Sequence, residues 1–451
     1  MATREFDVVI IGGGNAAMGV TVPTTAAGLS VAMIEPWTLG GTCSNRGCTP
    51  KKVLVAAAHT LHEIEQAAVH KIDVGKPKLD WPALIDREKA LIADLPTMFD
   101  KLMGDRGVEV YRQDGRFIGP NEVATGDDVV RGKSMVIATG SRHRELPIPG
   151  AELMITSDDV LSEREQPGDV VFVGGGVVAF EFSHVYARAG TKVTVLEASP
   201  RFLAKFDPDA VTAICRESER IGIDMKTGIS VQRIEPAGDR LRVVYTRSGD
   251  AEASIEADRV VNGAGRVPNI DNLDLAAGNV DAERGAIITD SHFRSTSNAA
   301  VFAGGDALSG KPQLSPIATH EGRMIGRMIA SGKPETFDYA SIPSALYTVP
   351  PLAMVGMTEE EAESTGHDIR VHDHDLSGWF AARTNAETTA YSKIIVDQKS
   401  NEILGAHIVG HNAGELIHFF ALAIKHRIPA AEIQSMVYAF PTYAADVPSM
   451  L

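Results

Sequence analysis

The chain has 451 residues, 44% hydrophobic and 23% charged, an ordinary globular composition that is too long for one hydrophobic core. A formal net charge of -16 and a pI near 5.4 leave no basic stripe, which argues against nucleic acid and anionic membrane as partners. Three cysteines in so long a chain make no structural disulfide framework.

The N-terminus, "MATREFDVVIIGGG", runs from a short polar leader directly into a strand pattern. It has no separate apolar segment with a small-residue cleavage site, and no apolar run of about 18 residues follows. The expectation is a cytoplasmic protein with no membrane partner. Residues 6–11, "FDVVII", form a β-branched apolar run suited to a strand buried on both faces of a parallel sheet. That run opens into Gly12-Gly13-Gly14-Asn15-Ala16-Ala17, a G-x-G-x-x-A pattern carrying Gly12, Gly14 and Ala17. Here glycines permit a tight turn and close backbone approach, and the next helix aims its N-terminal N–H groups at a pyrophosphate. A second strand, "SVAMIE", ends on Glu35, whose carboxylate can accept ribose hydroxyls. Pro23 falls within the expected helix and should kink or shorten it.

Next comes "GGTCSNRGCTPKK", residues 40–52, with Cys43 and Cys48 five apart. Thr49 and Pro50 are expected as the N-cap and first residue of the helical pattern "KKVLVAAAHTLHEIEQA". Cys48 then sits at a positive helix end, where the thiolate is favoured and Lys51 and Lys52 push the same way. Half a zinc site would need further Cys or well-spaced His ligands, which do not follow, so no metal is expected.

The dinucleotide pattern recurs at 170–197 in "VVFVGGGVVAFEFSHVYARAGTKVTVLE", with Gly174, Gly176, Ala179 and a terminal Glu197. Two dinucleotide sites are therefore expected. Glu197 would repel a 2'-phosphate, which favours NADH over NADPH, although Arg201 and Lys205 could moderate this. Cys215, in "DAVTAICRESERIG", reads as a half-buried inert thiol.

The segment from Gly40 to Lys52 matches G-G-T-C-x-N-x-G-C-x-P-x-K, and on it the chain resembles the FAD-dependent pyridine nucleotide-disulfide oxidoreductases, which include glutathione reductase, dihydrolipoyl dehydrogenase and mercuric reductase. The resemblance covers essentially the whole chain. "MVIATGSRHRELPIPG" looks like the family's crossing from FAD to NAD domain, "VVNGAGRVPN" like the return, and "STSNAAVFAGGDAL" like the second FAD motif. "LSPIATHEGRMIG" looks like the segment beneath the flavin ring, and the chain from "SIPSALYTVPPLAMVGM" onward like a dimerisation domain. The implied fold is α/β: two Rossmann-like dinucleotide-binding domains, for FAD and NAD, plus a C-terminal α+β dimerisation domain. The implied boundaries are 1–150 and 271–338 for FAD, 151–270 for NAD(P) and 339–451 for dimerisation.

By position the resemblance makes Cys43 the interchange thiol, Cys48 the thiol against the flavin, Lys52 the lysine near flavin N5, and Glu181 its counter-charge. It adds Gly41, Thr42, Thr139, Gly140, Gly265, Arg266, Asp306 (on the ribityl chain) and Ala318 to the cofactor-binding set. Ala198 and Ala204 stand where the family's NADPH-dependent members carry arginines, in agreement with the reading of Glu197.

The tail departs from the family. Where its disulfide reductases end with H-P-T-x-x-x-x-E, this chain reads "YAFPTYAAD", with Phe440 for the histidine and Ala445 for the glutamate. A positioned acid–base group is worth roughly 100-fold to 10,000-fold, so ordinary disulfide exchange should suffer. Phe440 either fills an interface core in a weak reductase, or marks chemistry that needs no proton donor, or is compensated by Tyr443, Tyr438 or Asp446. Mercuric reductases also lack the histidine, and soft metal ions need no general acid, but they carry a C-terminal cysteine pair that "DVPSML" does not supply. 2-Ketopropyl-coenzyme M oxidoreductase/carboxylase also has phenylalanine there, since a proton donor would quench its carbanion.

The expectation is thus a homodimeric FAD flavoenzyme that takes electrons from NADH through a Cys43–Cys48 disulfide to a small-molecule disulfide, thioether or soft metal ion. A thioether-cleaving reductase/carboxylase, an NADH oxidase or diaphorase, and a non-catalytic redox-sensing flavoprotein are the alternatives.

Overall fold

The apolar run near the N-terminus forms strand β1 (Thr3–Ile11), and a computed structural model describes residues 3–247 and 249–451 around it. Val8, Val9 and Ile10 are fully buried, as expected of a strand covered on both faces. β1 pairs in parallel with β2 (Val31–Ile34) on one side and with strand Asp128–Ile137 on the other, Val8 facing Val31 and Ser134. The first half of Asp128–Ile137 also pairs antiparallel with Glu122–Thr125, and its second half pairs in parallel with Val301–Ala303. Glu109–Tyr111 extends the sheet beyond β2, and Gly115–Gly119 pairs antiparallel with Glu122–Thr125, completing seven strands.

The described chain divides into two units. The first gathers the chain up to Lys52 with Asp86–Arg144 and Arg266–Phe337; the second gathers Val53–Ile85, Glu145–Gly265 and Asp338–Leu451. In the first, helix α1 (Asn15–Ala26) packs on helix Ser315–Ser331 closely enough that a Cβ on Gly322 would lie 2.0 Å from the Ala16 carbonyl oxygen. Pro23 does not shorten α1, which runs three residues beyond it. So late in the helix, Pro23 removes one amide donor, while the Thr21, Thr24 and Thr25 hydroxyls donate to backbone carbonyls in the same turns. Gly326 leaves room for the ring, since a Cβ there would lie 2.5 Å from Pro23 Cγ.

The second unit holds a four-stranded parallel sheet ordered Asp224–Lys226, Lys192–Leu196, Asp169–Val173 and Arg259–Asn262. It also holds a three-stranded antiparallel sheet (Ile229–Ala237, Arg240–Arg247, Ala253–Ala257) and a five-stranded antiparallel sheet in which Ile403–Val409 lies between Leu352–Gly356 and Tyr391–Asp397. Helix Ala413–His426 buries Leu416, Ile417 and Phe420 in this last sheet's core.

Candidate active site

The first glycine-rich turn follows from steric need. Gly12 has φ +113°, and a Cβ there would come within 2.2 Å of the Ala138 carbonyl oxygen. That double constraint leaves glycine as the unstrained residue. The Gly13 N–H donates to Glu35 Oε2 at 2.7 Å, and the Trp37 N–H donates to Oε1 at 3.0 Å. A carboxylate has about four acceptor sites, so Glu35 retains capacity for a ligand's hydroxyls. Gly41, at φ +65°, brings its backbone against Gly14, where a Cβ would sit 2.7 Å from the Gly14 Cα. Ala17 is fully buried behind the turn.

Helix α2 (Gly41–Arg46) carries Thr42 and Cys43, and helix α3 (Cys48–Gln66) begins at Cys48 itself, one residue before the expected cap. The break between them is Gly47, where a Cβ would meet the Thr42 carbonyl oxygen at 2.9 Å and Cys43 Cα at 3.2 Å. The chain folds back on Cys43 there, so α3 starts earlier and Pro50 falls within its first turn, where a missing N–H costs nothing. Asn45 Nδ2 ties the turn down by donating to the Leu39 and Gly41 carbonyls, each at 3.0 Å.

Both cysteines are free thiols, and their side chains share a hydrogen bond. Cys48 Sγ also lies 3.6 Å from Ser315 Oγ. The bond to Cys48 raises the Cys43 thiol well above its usual range, with burial and the charge at Cys48 adding to it, while Ser315 and Asn15 oppose. Charge therefore settles on Cys48, at the positive end of α3, and Cys43 keeps its proton. Lys52 lies one turn further along α3, exposed.

The far end of this site comes from distant segments. Ser141 Oγ donates to Asp306 Oδ2 at 2.9 Å and accepts from Arg266 Nε at 2.9 Å, while Arg266 Nη2 donates to the Ser141 carbonyl at 2.6 Å. Burial pushes the Asp306 carboxyl up, with Ser141 and Arg266 opposing. The Gly305 N–H donates to Glu321 Oε2 at 2.7 Å, and Gly305, at φ +67°, fits between the Ala16 and Ala318 side chains. Gly140 adopts φ +68° beside Thr139, whose buried hydroxyl has no partner within the protein. A glycine-walled turn, an unsatisfied hydroxyl, spare carboxylate lone pairs at Glu35 and a buried acid at Asp306 fit a dinucleotide flavin.

In the second unit the turn repeats. Gly174 has φ +108° and room only for the Gly263 carbonyl, 2.4 Å from a would-be Cβ. Glu197 accepts from the Gly175 and Ser199 N–H groups, each at 2.6 Å. Gly176 precedes helix Val177–Arg188, within which Ala179 is fully buried. Ala198 and Ala204 are exposed, and Arg201 donates to the Ala204 carbonyl. These features fit a nicotinamide dinucleotide. Gly265, at φ +99°, has open space around its Cα. Glu181 is 3% exposed and accepts the Tyr347 N–H at 2.9 Å.

Phe440 is 81% exposed, next to the exposed Met436 and Val437, so it fills no core within its own protomer. Tyr438 donates its hydroxyl to the Ile433 carbonyl at 2.9 Å. Burial pushes the Asp446 carboxyl up, and burial beside Glu387 pushes the Tyr443 phenol up. Cys215 is half-buried with its thiol pushed up to about 12, as an inert cysteine requires.

The motif matched from Gly40 to Lys52 already contains Asn45 and Gly47 but gave neither a role, and sequence reasoning missed Ser141, Ser315 and Glu321. Of these three, Glu321 left a readable trace, an acid on the buried stripe formed by Ile317, Ala318, Met324 and Ile325. Among the described residues no cluster suits a metal ion, and no helix is long and apolar enough to cross a membrane.

Residues 6–322 match the pyridine nucleotide-disulphide oxidoreductase model, and residues 342–450 match the dimerisation domain of the same family. The chain is 34% identical over 449 residues to a dihydrolipoyl dehydrogenase of Chlamydia muridarum, covering 98% of this chain and 95% of the relative. It is 31% identical over 446 residues to a glutathione reductase of Burkholderia cepacia, covering 99% and 98%. A mercuric reductase of Bacillus cereus is 29% identical over 444 residues, covering 98% of this chain and 70% of the relative.

Proposed function

Because the chain belongs to the pyridine nucleotide-disulphide oxidoreductase family, and is thus an FAD-dependent oxidoreductase that draws on NAD(P)H, we propose that Cys43 and Cys48 are its redox pair. The observation that carries this reading is the Gly47 break, which folds α3 back so that the two thiols share a hydrogen bond directly after the first glycine turn.

Cys43, on the short helix α2, is the thiol that attacks a disulfide or another thiol-reactive substrate. Cys48, with its charge favoured at the start of α3, resolves the mixed disulfide. Gly12, Gly14, Ala17, Glu35, Gly41, Thr42, Thr139, Gly140, Arg266, Asp306 and Ala318 hold FAD, which supplies two-electron transfer between the nicotinamide and the dithiol. Lys52 keeps the flavin role that the resemblance gives it. Gly174, Gly176, Ala179 and Glu197 hold the nicotinamide dinucleotide, and the carboxylate of Glu197 with Ala198 and Ala204 supports NADH over NADPH. In domain terms, 1–150 and 271–338 bind FAD, 151–270 binds the nicotinamide cofactor and 339–451 joins two copies into a homodimer.

The test is NADH-driven reduction of a panel of disulfides by flavin-loaded protein, run beside ferricyanide reduction, which bypasses thiols. Cys43→Ser should abolish the first and leave the second largely intact. Disulfide reduction that survives the substitution would sink the reading, as would the absence of a long-wavelength charge-transfer band when NADH reduces the protein with Cys48 intact.

A further inference from the structure

Past the end of β2 the chain leaves the sheet as Glu35-Pro36-Trp37-Thr38 and becomes buried again at Leu39. The Trp37 side chain stands in that short excursion and is 66% exposed. An exposed aromatic ring needs no explanation by itself, but this one is held in place. The Trp37 N–H donates to Glu35 Oε1 at 3.0 Å, and its carbonyl accepts from Arg112 Nη1 at 2.9 Å. Arg112 follows strand Glu109–Tyr111, the neighbour of β2, and also donates to Asp100 on helix Leu95–Asp105. Both backbone polar groups of Trp37 are therefore tied to other parts of the first unit, which fixes where the indole stands.

The ring is also covered on one side. The guanidinium of Arg46, at the end of α2, lies over the Trp37 ring, 5.3 Å from its centroid. A planar guanidinium packs well on an indole, and it leaves the rest of the ring open to solvent. That open surface lies two residues past the carboxylate whose spare lone pairs suit ribose hydroxyls. A base is joined to its ribose by one glycosidic bond, so the base of a dinucleotide held at Glu35 falls within reach of the residues just beyond Glu35. The glycine turn serves the pyrophosphate and Glu35 the ribose; neither supplies a surface for the base.

We propose that Trp37 is the base-stacking residue of the FAD site, covering the adenine, and that Arg46 is a positioning residue that holds the indole in place. This rests on the assignment of the first glycine turn and Glu35 to FAD above. An aromatic ring gives any planar base a π-face to lie against, and burying both faces removes apolar surface from water. Arg46 stands between Cys43 and Cys48 in the sequence, so the same contact links the dithiol segment to the adenosine end of the site.

The test combines the FAD dissociation constant, read by ultrafiltration of the holoprotein over a dilution series, with hydroxyl-radical footprinting of Trp37 by mass spectrometry. Trp37→Ala should raise the dissociation constant about 10- to 100-fold, and Trp37→Phe, which keeps a ring, less than about fivefold. Arg46→Gln should raise it about two- to fivefold, with Arg46→Lys between Gln and wild type. In a Trp37→Ala background Arg46→Gln should add nothing, which a merely structural role for Arg46 would not produce. Bound FAD should slow the oxidation of Trp37 several-fold relative to flavin-free protein. The proposal is overturned if Trp37→Ala holds FAD as tightly as wild type, if Trp37→Phe is as weak as Trp37→Ala, or if FAD leaves Trp37 as reactive as before. The role of Arg46 falls if its effect is the same with and without the indole. If wild-type protein binds no FAD, the assignment of the first turn itself falls and takes this proposal with it.

Discussion

The two glycine-rich turns share one construction and differ in what closes over it. In each, a glycine with φ above +100° lets a neighbouring strand-end carbonyl approach, Ala138 for Gly12 and Gly263 for Gly174. In each, the next glycine donates its N–H to a glutamate whose other oxygen accepts an N–H two residues beyond it. In each, a 12-residue helix follows. Over the first turn, the Gly40 N–H donates to the Gly13 carbonyl at 2.9 Å, and the bare backbone of Gly41 leads straight into α2 and Cys43. Over the second, the Leu203 N–H takes that part at 3.1 Å, and the Phe202 ring lies 2.4 Å from a would-be Cβ on Gly175. The first turn is covered by the Leu39 side chain, 2.7 Å from a would-be Cβ on Gly13, and by backbone that leads to the reactive thiols; the second is plugged by an aromatic side chain braced edge-on by Phe180, 5.6 Å away.

The largest effects should come from adding a methyl group where the two turns are alike. Gly12→Ala and Gly174→Ala each force a Cβ into a carbonyl at a positive φ and should cost several kcal/mol, on the order of 2 to 5. Gly12→Ala should yield protein without flavin. Gly174→Ala should yield yellow protein that NADH reduces slowly; flavin absorbance and stopped-flow bleaching separate the two, and equal loss of flavin in both would break the comparison.

Next are changes where the turns differ. Phe202→Ala empties the second turn's plug and should cost about 3 kcal/mol of the second unit's stability in a denaturant titration. Gly41→Ala, with a Cβ 2.7 Å from Gly14 Cα, should cost about 2 kcal/mol and fall mainly on flavin retention and thiol reactivity. If Gly41→Ala left both untouched, the backbone closure over the first turn would have no role.

Glu197→Gln removes the like charge that faces a 2'-phosphate and should raise the NADPH-to-NADH ratio of kcat/KM about tenfold, roughly 1.4 kcal/mol. Glu35→Gln should leave that ratio unchanged. The smallest effect is expected from Asp306→Asn, which keeps the Ser141 bond through the amide oxygen and should speed flavin loss on dilution by less than about tenfold.

Both turns and the cysteine segment were legible because each is a local pattern. A positive φ demands glycine, a buried parallel strand demands β-branched residues, and a redox pair demands two thiols at short spacing. Boundaries set by contact were less legible. The start of α3 was placed two residues late, at Pro50 rather than Cys48, because the close approach of Gly47 to Cys43 is a contact that no spacing shows. Pro23 was read as a fault in α1, but it is accommodated by Gly326 on another helix. At the tail, the sequence revealed the absence of the acid–base pair at Phe440 and Ala445.

The sequence by itself determined two dinucleotide turns, a dithiol segment, the family and the loss of the usual proton carrier. These are statements about which residues a backbone shape or a chemistry admits, and short windows suffice to make them. The tertiary structure alone decided which polar groups face each other: Ser141 with Asp306, Glu321 with the Gly305 amide, and Glu387 with His411. Burial raises the cost of an unpaired polar group, so each pairing is selected by desolvation among segments far apart in the chain, which no linear spacing records.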